Sequence, residues 1–210
     1  MPNGIKERKA MQIKELDKKD FKKAIQYAIR GMHFDEYSNS NFIVQTYGRY
    51  FWYLEYTNAT QVIAAYEKDV LLGVLIADMK GEPKAYQSFW KVLYVKILDA
   101  IQTLIYGNGV MSYMEANREM FDKYTEKYEP DGEIRFLAAD PDSKVRGIGT
   151  YLLNELSRRE AGKEVYLFTD TNCTYQFYER RGFERAGEKD IVLELSGDVD
   201  LKCLLYRKRL

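Results

Sequence analysis

Residues 133–150 read Glu-Ile-Arg-Phe-Leu-Ala-Ala-Asp-Pro-Asp-Ser-Lys-Val-Arg-Gly-Ile-Gly-Thr. A short apolar run ends at Asp140-Pro141. A polar loop follows, and Gly147-Ile148-Gly149 opens a helical pattern. A glycine-rich turn feeding a helix gathers free backbone N–H groups around one point, where the helix dipole also favours negative charge. The stretch therefore predicts a strand, a loop that holds the diphosphate of a nucleotide-type cofactor, and a helix. It is not a dinucleotide fingerprint: Leu152 stands at the third glycine position, and the loop from Pro141 to Gly147 is too long for that turn. It is not a P-loop either, because no Gly-Lys-Ser/Thr run occurs in the chain.

On either side the pattern alternates strands and helices. Upstream, Met11 to Leu16 reads as a short strand and Asp17 as a helix cap, with Asp20 completing a capping-box arrangement. Phe21, Ala24, Ile25, Ala28 and Ile29 form a helical stripe that Gly31 is placed to stop. The aromatic-rich run from Phe42 to Tyr56 reads as helix. Gln61 to Tyr66 and Val70 to Met79 read as strands of a hairpin joined by Glu67-Lys68-Asp69. Ala85 to Tyr106 carries Tyr86, Phe89, Trp90, Leu93, Tyr94, Ile97, Ile101, Leu104 and Ile105 at helical spacing, with Lys91, Lys96 and Asp99 opposing a membrane span. This helix is expected to pack on the sheet or at a homodimer contact. A second helix is expected from Ser112 to Tyr128.

Downstream, the helix after Gly149 runs to Gly162, and Val165 to Thr169 is the next strand. Thr174 to Arg181 is a short helix. Ile191 to Leu195 and Leu201 to Arg207 are two closing strands. Strand–helix–strand alternation followed by terminal strands is an α/β pattern with a mixed sheet.

Two motifs in this frame resemble one family. Lys144-Val145-Arg146-Gly147-Ile148-Gly149 resembles the coenzyme-A-binding motif Gln/Arg-x-x-Gly-x-Gly/Ala of the GNAT (general-control-type N-acetyltransferase) superfamily, with lysine departing at its first position. Phe177-Tyr178-Glu179-Arg180-Arg181-Gly182-Phe183 is similar to that family's Leu/Phe-Tyr-x-x-x-Gly-Phe signature, at the right distance downstream. The resemblance covers roughly residues 60–210, apart from residues 81–130, and Gly73 stands where the family's third strand often carries glycine. It implies a mixed, mostly antiparallel central sheet flanked by helices. Residues 81–130 would be a helical insertion between the third and fourth strands, within a single domain of residues 11–210. Residues 1–10 read as a flexible leader.

The activity implied is transfer of an acetyl group from acetyl-CoA to a primary amine, by direct attack in a ternary complex. The family's fourth strand splays from the fifth. The segment Leu137, Ala138 and Ala139 would therefore offer backbone groups to the pantetheine arm. Backbone N–H groups of Val145, Arg146, Gly147, Ile148, Gly149 and Thr150 would take the diphosphate, with added charge from Lys144 and Arg146. Asn172 would bond the pantetheine arm, although it sits one residue off the commonest family spacing. Glu133 aligns with the catalytic glutamate of the histone-acetyltransferase branch and is the candidate base. Its plain reading is a solvated glutamate opening a strand. Tyr178 matches the tyrosine near the thioester sulfur and is the candidate acid; its plain reading is a packing residue. A catalytically silent acyl-CoA-binding or sensing module on the same fold is the rival reading.

Composition excludes other classes. Thirty-two Lys plus Arg balance 32 Asp plus Glu, so no basic field marks a nucleic-acid binder. Two cysteines are too few for a disulfide framework and point to a reducing compartment, the cytoplasm. Cys173 alone is weak support for an acyl-cysteine route. The single histidine, His33, lies far in sequence from both motifs and supports neither a Ser-His-Asp triad nor a multi-histidine metal site. No long uncharged apolar stretch suggests a membrane span. The 18 tyrosines, many between Tyr27 and Tyr128, read chiefly as packing residues, and some as an acceptor-pocket lining. The acceptor stays open among polyamine, amino acid, antibiotic, peptide N-terminus and lysine side chain.

Overall fold

The expected mixed sheet is present in the computed structural model, which describes residues 11–36, 40–86, 88–105, 107–194 and 198–210. The expected leader, Tyr106 and Leu195 lie outside these residues. The elements run β1 (Gln12–Lys14), α1 (Phe21–Gly31), α2 (Asn41–Asn58), β2 (Gln61–Glu67), β3 (Val70–Met79), α3 (Phe89–Ile105), α4 (Gly107–Thr125), β4 (Gly132–Ala139), α5 (Ile148–Arg159), β5 (Glu164–Asp170), α6 (Gln176–Glu179), β6 (Glu184–Glu194) and β7 (Asp198–Arg209). The strands form one sheet in the order β1-β2-β3-β4-β5-β7-β6. Every neighbouring pair is antiparallel except β4–β5.

Strand alternation divides the core by face. On one face, Ile63, Leu75, Val165 and Leu167 pack with Leu152 and Leu156 of α5. The opposite face is covered in two parts. Trp52 and Tyr56 of α2 and Phe21 of α1 pack on Val74, Ile76 and Phe136, while Ala116, Met120 and Tyr124 of α4 pack on Cys203 and Leu205. Glu133 and Tyr166 are register partners where these two parts of the face meet.

Several local expectations are corrected by tertiary contacts. The capping box at Asp17 is closed through a distant tyrosine. Asp17 N–H donates to Tyr66 Oη (3.2 Å), and the Tyr66 hydroxyl donates to Asp20 (2.9 Å). Gly31 is the last residue of α1, and the positive φ falls on His33 instead (55°). The α3 helix leans on α2, with Tyr94 edge-on to Tyr53, and leaves Phe89, Trp90 and Ile97 of its apolar stripe exposed. The final strands are longer than their apolar runs. β6 keeps its pairing with β7 through an irregularity at Ala186, so polar residues from Glu184 onward are carried in the ladder.

The β2–β3 hairpin turns through Lys68 and Asp69, with Lys68 at φ 56°. A left-handed conformation costs an L-residue roughly 1–2 kcal/mol, a cost glycine escapes. Lys68→Gly is expected to raise stability by about 0.5–1 kcal/mol in a thermal melt. The Lys14 Nζ bond to the Lys68 carbonyl (2.6 Å) uses only backbone and survives the change. A lower melting temperature would show that the lysine side chain outweighs the strain.

Candidate active site

The site begins with a parting of strands. β4 and β5 pair with each other only at Gly132↔Val165 and Glu133↔Tyr166. Asp140 N–H bonds to Leu72 O on β3 (2.7 Å). Backbone groups alternate in direction along a strand, so those of Ala138 also turn toward β3, while those of Leu137 and Ala139 turn into the gap beside β5. Leu137 and Ala139 are thus the two of the three expected residues whose backbone groups line the gap. Ala138 does not: it is buried against the helices of α1 and α2, and its backbone polar groups belong to the β3 ladder. Gly73 permits this close approach of β3, since a Cβ there would lie 2.8 Å from the Ala138 carbonyl oxygen and from Ile148.

The loop beyond β4 is tied down from α1. The Asp140 carboxylate accepts from the Tyr27 hydroxyl (2.9 Å) and the Asp142 N–H (3.0 Å), and it pairs with Lys23 (3.2 Å). Arg30 holds Asp142 (2.5 Å). The first helical bond of α5 runs from Tyr151 N–H to Gly147 O, so the N–H groups of Gly147, Ile148, Gly149 and Thr150 have no partner within the helix. Gly147, at φ 80°, supplies no side chain to cap them. Val145 is a correction to the expected cradle, because its N–H already donates to Ser143 Oγ (3.1 Å). Lys144 and Arg146 are exposed beside the loop.

The second motif packs onto the first. A Cβ on Gly149 would lie 2.9 Å from the Phe177 ring. The Arg181 guanidinium stacks 3.6 Å over that same ring and donates to Thr150 Oγ1 and to Phe177 O. Burial and neighbouring Arg180 pull the Arg181 pKa down. Among the described residues Arg181 forms no ion pair, so a cation without a counter-charge borders the N-terminus of α5. Tyr178 follows Phe177 and packs against Phe177, Phe183 and Tyr206. Burial and the nearby Cys173 raise its pKa, keeping the phenol protonated. Asn172 is exposed in the turn after β5, its N–H on Asp170 Oδ1 (2.9 Å).

Glu133 stands where the two strands part. It is not a solvated strand-start residue: its side chain is only 20% exposed and accepts from Arg135 Nη1 (2.8 Å) and the Tyr166 hydroxyl (3.3 Å). Burial raises its pKa against the pull of Arg135. The other side of the same guanidinium donates from Nε to Glu55 of α2 (2.5 Å), itself only 7% exposed. Burial pushes Glu55 up to about 7 despite Arg135. A cleft of about 720 Å³ opens on Glu133, with Phe121, Tyr128 and Tyr166 among its walls and Asp78, Glu126 and Glu129 around it.

Sequence reasoning missed Tyr27, Glu55, Arg135 and Arg181. Only Arg181 carried a signal, its place inside the second motif. Among the described residues no group of three or more His, Cys, Asp or Glu is arranged to hold a metal, and no helix is long and apolar enough to cross a membrane.

A family model described as an acetyltransferase (GNAT) domain matches residues 101–185, from the end of α3 through α6 to the start of β6. Over that stretch the chain is similar to GNAT acetyltransferases. Three solved structures are similar to it across almost the whole chain. A protein from Pyrococcus horikoshii OT3 shares 18% identity, with 96% of this chain and 100% of that one covered and a TM-score of 0.55. The PaiA N-acetyltransferase of Thermoplasma acidophilum, solved with coenzyme A, shares 14% identity, with 96% and 99% covered and a TM-score of 0.52. A mosquito arylalkylamine N-acetyltransferase-like protein shares 16% identity, with 96% and 100% covered and a TM-score of 0.53. At these identities the likeness is one of fold. No curated protein sequence matches the chain. The GNAT domain match spans both glycine motifs and includes α4, so part of the segment read as an insertion lies within the matched region.

Proposed function

We propose that this protein is an acyl-CoA-dependent N-acyltransferase that moves acetyl from acetyl-CoA to a primary amine by direct attack in a ternary complex. The observation that carries the reading is the parting of β4 from β5. The gap has unpaired N–H groups of α5 at its open end and a half-buried, hydrogen-bonded carboxylate at its closed end. These groups suit the donor. Four clustered N–H groups and nearby Lys144, Arg146 and Arg181 match a diphosphate, and the free edge at Leu137 and Ala139 matches the amides of a pantetheine arm.

Acetyl-CoA, when bound, supplies a thioester carbonyl as the acyl donor. Glu133 takes the proton of the incoming ammonium, so that the nitrogen lone pair can form the C–N bond. The Tyr178 hydroxyl gives its proton to the departing sulfur as the C–S bond breaks, the second nitrogen proton restores the phenol as the amide forms, and Glu133 releases its proton to solvent. The cleft beside Glu133 is the acceptor's route. Its rim mixes carboxylates with Lys80 and Lys127, so the aromatic walls and the Glu133 carboxylate are what suit a cationic amine, whose ring or alkyl body lies on the tyrosines. Location in the cytoplasm and a homodimer contact through the exposed face of α3 are parts of the same proposal.

Purified protein is expected to be thermally stabilised by coenzyme A and to release free thiol from acetyl-CoA with some member of an amine panel. Stabilisation without thiol release across that panel would favour a silent acyl-CoA-binding module. Tyr178→Phe keeps the ring and its contacts with Phe183 and Tyr206 while removing the hydroxyl. Turnover is expected to fall roughly 10- to 1,000-fold, in or near the span of a lost general acid, with little change in acetyl-CoA affinity. Wild-type turnover in this variant, with chemistry rate-limiting, would make Tyr178 a packing residue.

A further inference from the structure

The Arg135 guanidinium is shared between a half-buried carboxylate, Glu133, and a buried one, Glu55, and Glu55 has no place in the chemistry described so far. Arg135 is the extra residue of a bulge: Ile76 pairs with Phe136 and the adjacent Ala77 with Ile134, so Arg135 has no opposite number on β3. A bulge re-aims the side chain it carries. Here it brings the guanidinium between Glu133 on its own strand (2.8 Å) and Glu55 on α2 (2.5 Å).

An arginine beside a general base is a liability. Left alone with Glu133, it would offer a full two-pronged pairing, hold the carboxylate ionised, and weaken it as a proton acceptor. Glu55 takes one prong. We infer that Glu55 is a positioning residue, which draws Arg135 partly away from Glu133 and so keeps Glu133 basic enough to deprotonate the acceptor amine. This rests on the reading of Glu133 as the base.

The groups facing the pair are few. From β3, Asp78 is the register partner of Glu133, and Lys84 neutralises it at 2.7 Å. From β5, Tyr166 donates to Glu133. From α4 and the following turn, Glu126, Lys127 and Glu129 stand around the cleft with Lys80. From α2, Glu55 is the single carboxylate paired with Arg135. Glu55 and Glu133 then titrate as a coupled pair: ionising Glu55 adds negative charge near Glu133 and engages the arginine, and both effects raise proton affinity at Glu133.

The test is the pH profile of kcat/KM with one acceptor throughout, so that the acceptor's own ionisation is common to all variants. In the wild type the acidic limb is expected above the ordinary glutamate range, because burial raises Glu133. Glu55→Gln keeps an oxygen for Arg135 Nε but removes the charge. Its limb is expected to move down by about one pH unit, as loss of one partly buried charge implies, with the plateau reduced several-fold. Arg135→Met is expected to move the limb the opposite way. Glu133→Gln should abolish it. A limb that survives Glu133→Gln overturns the assignment of the base itself. A limb lost in Glu133→Gln but unmoved in a folded Glu55→Gln overturns the role of Glu55 alone. If Glu55→Gln does not fold, carboxyl ¹³C titration of glutamate-labelled wild-type protein decides. A carboxyl resonance with two inflections, one near pH 7, supports the coupling, and independent single titrations in the ordinary glutamate range overturn it.

Discussion

Turnover by the Glu133→Gln protein is expected to fall about 100- to 10,000-fold at neutral pH, the contribution typical of a positioned general base. The reason lies in the state of the acceptor. A primary alkyl amine arrives protonated at pH 7 and has no lone pair for attack until a base accepts its proton. Glu133 is ionised only above its own pKa, which burial raises. Wild-type rate is therefore expected to climb with pH through that value and then level. The Gln variant lacks this limb and recovers partly at high pH, where free amine is already abundant. Gln keeps the side-chain length and can still accept from Arg135 and Tyr166, so the strand and its bulge are preserved. Initial rates from the lowest pH at which both proteins stay folded up to pH 10, with melting temperatures of both proteins, check this. An equal loss at every pH would assign Glu133 a structural role.

Gly149→Val is expected to reduce coenzyme A affinity by roughly 10- to 100-fold, by a route that only the packing reveals. Phe177 occupies the space into which a side chain at 149 would grow, at 2.9–3.0 Å from a Cβ. Arg181 stacks on the same ring and is anchored on Thr150. Valine must therefore displace Phe177, Arg181 and the first turn of α5 together, and overpacking of this kind costs about 1–3 kcal/mol. The free N–H groups move with that turn, and Tyr178 moves with Phe177. Gly147→Ala provides the contrast. A Cβ there meets nothing within 4 Å, so the cost is the positive φ alone, about 1–2 kcal/mol. Titration calorimetry with coenzyme A should rank Gly149→Val well below Gly147→Ala. Unchanged affinity in a folded Gly149→Val protein would sink the assignment of this loop to the diphosphate.

What the sequence by itself determined is the local part of this protein. Residues 133–150 specify a strand, a loop and a helix, because apolar spacing, proline and glycine act on the backbone within a few residues of themselves. Phe177 to Phe183 could be paired with that loop by resemblance, and Gly73 could be singled out, without any knowledge of what either touches. The tertiary structure decided whatever depends on residues far apart in the chain. Nothing near Glu55 announces that burial in α2 will set it against Arg135, because the helix that buries it and the bulge that aims the arginine are 80 residues apart. Tyr66 bridges Asp17 N–H and the Asp20 carboxylate for the same reason, from 49 residues away. The stripe of α3 has helical spacing whether or not anything covers it, so its period shows a helix while its exposure depends on how α2 sits beneath it. Periodicity and turn chemistry are properties of a segment. Burial, and with it the proton affinity of a carboxylate, is a property of what packs around it.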